Sequence, residues 1–264
     1  MLLVGCNGNQ EGSIMSNPYF GGTQGIIASF EPVGGISQAS TTNVVFAGES
    51  FPVDVQILNK GEYTLNSGEY PGGTELKATI KGINVAEYGP TLNGETNANM
   101  VIEGVSEFLP EGGTEYLNFG EAIMESVPGS FYDANFFAEI DYHYRTYIAI
   151  PQVCFKEDLR DERICDATQQ NMEIFSSGAP IIATKASQKP AGQGRIMVEI
   201  EIANMGTGKA RATNDVKIDP RYDEVTFHLK PADDVMWKCS SRGSSSDSPI
   251  ARISQGKVYI RCQT

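Results

Sequence analysis

Histidine, tryptophan and long apolar runs are nearly missing from this 264-residue chain, and each shortage excludes something. The two histidines, His143 and His228, lie in runs that read as strand, and neither belongs to a His-Glu-x-x-His zinc motif. Each is read as a strand residue at a solvent face or a satisfied edge. No Ser or Cys stands in a nucleophile elbow, and no Gly-rich loop opens a helix to cradle phosphate. No catalytic residue and no cofactor are therefore expected. No stretch reaches the ~18 consecutive apolar residues of a membrane span. No segment sustains an apolar period of 3.6 either, and 156–163 reads as one helical turn or a loop. Basic residues are short as well: 20 Lys and Arg face 33 Asp and Glu, a formal charge of −13. Such a surface repels phosphate and argues against a nucleic-acid partner.

Glycine and proline are plentiful, 28 and 13 of them, scattered among short apolar runs as in many-turned β proteins. With 40% hydrophobic and 20% charged residues, the chain is globular rather than disordered. Its strongest internal signal is a repeat. Val53-Asp54-Val55-Gln56-Ile57-Leu58-Asn59-Lys60-Gly61 matches Val198-Glu199-Ile200-Glu201-Ile202-Ala203-Asn204-Met205-Gly206. The alternation puts Val53, Val55 and Ile57 on one face of a strand. The Asn-x-Gly behind it supplies residues that tolerate positive φ, which predicts a tight turn. Each copy follows a shorter apolar run, 26–30 in one case and 180–186 in the other.

Two copies about 145 residues apart indicate two domains of one plan rather than a solenoid. Further strands are expected at 75–83, 100–107, 115–123 and 135–150, then at 195–203, 224–229, 235–239 and 257–262. Gly- and Pro-rich breaks separate them, the spacing of a β-sandwich. The fold class expected is all-β, as two tandem immunoglobulin-like sandwiches. The boundaries are an N-terminal anchor and tether at 1–22, sandwich one at 23–152, a clipped linker at 153–178 and sandwich two at 179–264.

Five cysteines remain to be placed. Cys154 and Cys165 close a charged loop that no apolar core could order, and Cys239 and Cys262 flank a Ser-rich stretch. Two disulfides are expected, since neither pair has the two-to-four-residue spacing of a zinc site. They imply an oxidising compartment and hence export to the cell surface. Residues 7–22 are polar and Gly-rich, a flexible tether by composition.

Leu3-Val4-Gly5-Cys6 resembles a lipobox, which implies lipidation of the Cys6 thiol and a membrane anchor at the N-terminus. Only four residues separate Met1 from Cys6, whereas a secretory signal carries an apolar stretch of about 7–15 residues. Either the start is truncated or mis-assigned, or the resemblance is accidental.

Two surface features invite a ligand. Asp215, Asp219, Asp223 and Glu224 could offer hard oxygen ligands to Ca²⁺. Their spacing matches no EF-hand, and Lys217 and Arg221 intervene, so a solvated turn is preferred and no metal is assigned. The aromatics from Tyr142 to Tyr147 either form a sugar or peptide platform or pack a sandwich core; the second reading is preferred.

The segments 22–27, Ala47-Gly48-Glu49-Ser50-Phe51-Pro52-Val53 and Ile57-Leu58-Asn59-Lys60-Gly61-Glu62-Tyr63 look like archaeal surface proteins with CARDB-type immunoglobulin-like domains. The segments 178–181 and 202–208 resemble the start of a second such module. The resemblance implies exported, membrane-anchored β-rich proteins without assigned catalysis, and carries over no site residue. The expected role is therefore non-catalytic, a structural, adhesive or self-assembling envelope subunit whose partners are other envelope proteins or its own copies. The competing role is a lipid-anchored protein that captures a glycan, peptide or cation.

Overall fold

The computed structural model describes residues 16–33, 43–68, 75–156, 163, 165–192, 194–212, 217–230, 236–241 and 249–264. Among them the chain is all-β, with one 3-10 turn at Val85–Tyr88 and no α-helix. Six strands come first: β1 (Ile26–Phe30), β2 (Ser50–Asn59), β3 (Leu76–Lys81), β4 (Glu95–Asn97), β5 (Thr114–Ile123) and β6 (Phe137–Tyr142). Two short pieces follow, β7 (Ile148–Ala149) and β9 (Phe175–Ser176), with β8 (Gln169–Met172) between them. The remainder is β10 (Ile181–Pro190), β11 (Ile196–Asn204), β12 (Asp223–Thr226), β13 (Lys238–Ser241), β14 (Ile250–Ile253) and β15 (Lys257–Gln263).

Two hydrophobic cores result, each enclosed between facing sheets. The first lies between β1-β2-β5 and β4-β3-β6 and contains Val53, Val55, Ile57, Leu76, Ile80 and Phe119. Alternation explains it: β2 buries every second residue, so burial of apolar side chains and strand geometry agree. The second core lies between β13-β15-β11-β10-β8 and the two-stranded β12-β14. It buries Val198, Ile200, Ile202, Val258 and Ile260 against Ala251 and Ile253. This is sandwich packing in both places.

The repeated segment occupies the same place in each. Ile26 lies opposite Asn59 and Ile181 opposite Asn204, both antiparallel. On its other side β2 pairs with β5, as β11 pairs with β15. Both turns also have one geometry. The Gly61 N–H donates to Asn59 Oδ1 (3.2 Å) and the Gly206 N–H to Asn204 Oδ1 (3.0 Å). Asn59 Nδ2 then donates to the Tyr63 carbonyl (2.7 Å), and Asn204 Nδ2 to that of Gly208 (3.0 Å). These are Asx turns, in which the amide replaces a backbone partner.

The expected positive φ is absent at Asn59, Gly61, Asn204 and Gly206. Space selects the glycines instead. A Cβ on Gly61 would come within 2.0 Å of the Tyr144 hydroxyl, and one on Gly206 within 2.8 Å of Pro180 Cβ.

Several expected strands differ. The run 100–107 contributes only the bridge Leu65–Ile102. The run 135–150 breaks after Tyr142, where Tyr144 points inward so that its hydroxyl donates to Asn59 Oδ1 (3.1 Å). Part of the expected linker at 153–178 is strand, because β8 joins the second sheet beside β10. The last residues of the expected tether are bonded to the first sandwich. The Gly21 N–H donates to Glu62 Oε1 at 2.6 Å, which holds that end of the segment. Residues 7–15, and 157–162 of the charged loop, lie outside the described residues.

Candidate functional site

Both expected disulfides are present. Cys239 and Cys262 are direct partners across β13 and β15, with Cys262 buried in the second core. Cys154 bonds Cys165, and the Gln188 side chain on β10 grips the Cys154 backbone through both its N–H (2.9 Å) and its carbonyl (2.7 Å). Both bonds therefore serve the second sandwich, and they mark a protein of an oxidising, extracellular environment. Cys6 lies outside the described residues. Among those described, no helix is long and apolar enough to cross a membrane.

The described acidic candidates, Asp219, Asp223 and Glu224, are each turned to a partner of their own. Asp219 forms an ion pair with Arg221 (2.6 Å), whose guanidinium holds the carboxyl well below its usual range. Asp223 accepts the Ala210 N–H (2.8 Å), and Glu224 accepts from Arg252 Nε (2.7 Å). Asp215 lies outside the described residues. Among the described residues no group of three His, Cys, Asp or Glu side chains is placed to hold a metal ion.

The aromatic run is divided between inside and outside. Tyr142 and Tyr144 pack against the first core, with ring centroids 5.7 Å apart, and burial raises both hydroxyl pKa values. Tyr147 is partly exposed. His143 follows β6, donates its N–H to the Glu75 carbonyl (2.8 Å) and lies edge-on to Tyr63. Burial lowers its pKa, Glu75 opposes that, and Arg145 adds to it. His228 is exposed just beyond β12.

Sequence reasoning missed the joint between the two cores. Glu62 stands just past the first Asx turn. Its Oε1 accepts the Gly178 N–H (2.7 Å) as well as that of Gly21, and its own N–H donates to the Gly178 carbonyl (2.9 Å). Nearby, Thr146 Oγ1 donates to the Ile181 carbonyl (2.6 Å). Tyr147 and Ser177 exchange two further bonds, and Arg211 pairs with Asp141. One carboxylate thus ties the N-terminal segment, the first turn and the start of the second sandwich together.

The other missed feature is electrical. Residues 1–150 carry 18 Asp and Glu against 4 Lys and Arg, a formal −14; residues 151–264 carry 15 against 16, a formal +1. The whole negative charge belongs to the first half. The outer faces of the two repeated sheets show the same contrast.

On the second sheet three rows run across the strands. They are Lys185-Glu201-Tyr259, Ser187-Glu199-Arg261-Ser240 and Lys189-Met197-Gln263-Lys238. With Lys257 at the end of β15, this face holds five cations and two anions. Glu201 accepts from Tyr259 Oη (2.7 Å), Thr184 Oγ1 (2.8 Å) and Lys257 Nζ (3.2 Å), which lowers its pKa to about 2. Glu199 is paired with Arg261. Lys185, Lys189 and Lys238 are exposed and have no anionic partner among the described residues. A groove of about 220 Å³ runs between Lys185, Glu201 and Tyr259.

On the first sheet the corresponding face carries Glu31, Asp54 and Glu121. Glu31 lies beside Asp54, whose row continues to Asn118, while Pro52 faces Glu121. Asp54 accepts only from Asn118 Nδ2 (2.7 Å), and Glu121 accepts from Ser50 Oγ. No described cation pairs with any of the three. Farther along the same face stand Tyr116, opposite Gln56, and Ile27, opposite Leu58, both exposed.

A second concavity, about 500 Å³, opens beside the 3-10 turn between Glu87, Pro90, Met124 and Tyr132. It brings together no set of groups that could do chemistry. Comparison of the chain with protein-family models, curated proteins and solved structures gives no match.

Proposed function

We propose that the chain is an exported, non-catalytic envelope protein that displays two immunoglobulin-like modules outside the cell as a structural subunit. The observation that carries this reading is the position of the disulfides. Both staple the second sandwich, whose core faces a two-stranded partner sheet among the described residues, and such staples persist where thiols oxidise. The hydrogen-bonded joint at Glu62 supports a structural role, because it fixes one module on the next. The short segments that resemble CARDB-type surface proteins agree with it. Cys6 belongs to the same reading as the point of lipid attachment, with a second membrane signal needed for stable anchorage.

Labelling of intact cells tests the proposal. A membrane-impermeant amine reagent is expected to modify the protein on whole cells. Intact mass without reductant is expected to be lighter than that of the reduced chain by about four hydrogens, as two bridges require. Recovery from the cytosol, unlabelled and with all thiols free, would sink the idea.

A further inference from the structure

We propose that the basic outer face of the second sheet docks on the acidic outer face of the first sheet of another copy of this chain, head to tail. The inference rests on the structural-subunit reading and names that subunit's partner and surface.

Three observations carry it. Among the described residues, the charges without an oppositely charged partner match in number and oppose in sign: Lys185, Lys189 and Lys238 on one face, Glu31, Asp54 and Glu121 on the other. Both faces are built on the same strand-and-turn frame, in the same register about Asn59 and Asn204, so they share strand spacing and hand of twist. Each face also carries an exposed tyrosine beside its charges, Tyr116 one row beyond Asp54 on the first sheet and Tyr259 beside Glu201 on the second. An aromatic anchor within a charged surround is a common anatomy for a protein contact.

An acidic polymer or anionic membrane would satisfy the lysines alone. It would leave unexplained why the equivalent sheet of the same chain offers three carboxylates without cations. A second copy accounts for both faces.

The contact joins two different surfaces, so it is heterologous and propagates as an open chain unless rotation closes a ring. Strand spacing and rise give each face roughly 500 Å². That lies below the ~800 Å² per partner of a standard stable interface. Association is therefore weak in dilute solution and gains strength where many copies share a surface. It is also salt-sensitive, since exposed charges are screened beyond about 8 Å at physiological ionic strength.

Sedimentation velocity on the full purified chain tests this. At low salt the average mass is expected to rise with concentration, and about 0.5 M NaCl is expected to weaken association tenfold or more. A chain with Lys185→Glu, Lys189→Glu and Lys238→Glu is expected to stay monomeric. So is one with Glu31→Lys, Asp54→Lys and Glu121→Lys. An equimolar mixture of the two is expected to associate again, which also shows that both have folded. Milder Lys→Gln changes at the same three lysines are expected to weaken association without reversing any charge. A wild-type chain that stays monomeric at every concentration and low salt would overturn the proposal. So would association that neither reversal alters, or lysine-dependent binding to phosphatidylserine vesicles without self-association. These outcomes leave the export reading standing, whereas cytosolic recovery of the protein would remove that reading and not this contact.

Discussion

The two sandwiches share a strand, a turn and a register, yet they reach stability by different means. In the first, Asn59 is fully buried and its amide serves four groups. It donates to the Tyr63 and Ile102 carbonyls and accepts from the Gly61 N–H and the Tyr144 hydroxyl. The core along its strand contains Phe119, Tyr63, Tyr88 and the half-buried Phe136, so it is rich in aromatic area. In the second, Asn204 keeps only the two turn bonds and is partly open to water. Its core is mainly β-branched aliphatic and smaller, and a disulfide stands where the first core has aromatic rings. One local motif thus tolerates two routes to a closed core. The turn defines the frame, and the surroundings set what each residue of the turn is worth.

The equivalent asparagines give the largest test of that statement. Asn59→Ala leaves two carbonyls, an N–H and a hydroxyl without their partner in a dry site, at about 1 kcal/mol or more each. A loss of about 4 kcal/mol is expected in chemical denaturation. Asn204→Ala exposes its two groups to water and is expected to cost about 1 kcal/mol. Equal losses at the two sites would mean that burial does not decide the matter.

Much of this frame was legible in the sequence, for a physical reason. Alternation reports directly on burial, so Val53–Ile57 and Val198–Ile202 could be placed before any coordinate. The two cysteine pairs could be joined because their loops lack packing residues. The polar strand β8, Gln-Gln-Asn-Met, could not be found, since its membership comes from backbone pairing with β10 rather than from side chains. The reason for Gly61 was misread for a similar cause: a sequence shows a glycine but not the hydroxyl of Tyr144, 83 residues on, that needs its space. The joint at Glu62 depends on two distant backbone N–H groups and had no sequence signal. The charge division between the halves did have one, but the total of −13 conceals it.

The disulfide gives the next largest effect. Replacing Cys239 and Cys262 together by Ala frees a 23-residue loop in the unfolded chain, worth about 3 kcal/mol. Hydrogen exchange is expected to show β11 and β15 losing protection by that amount while β2 and β5 keep theirs. Equal loss on both sides would mean that the Glu62 joint makes the two cores one cooperative unit.

The smallest effect is a matter of pH. Glu201 ordinarily would titrate at 4.5, but donation from Tyr259, Thr184 and Lys257 lowers its folded pKa to about 2. A depressed pKa means that the unfolded chain takes up the proton first. The stabilisation is then full above pH 4.5 and is lost as pH falls toward 2. The first sheet places Gln56 at the position matching Glu201, so the part of the dependence that comes from this carboxylate belongs to the second sandwich. Glu201→Gln removes the charge but keeps an acceptor for Tyr259. The second sandwich of the variant is expected to be less protected than wild type at neutral pH and equal to it near pH 2. A difference that stays constant from pH 7 to 2 would assign Glu201 a packing role and not an electrostatic one.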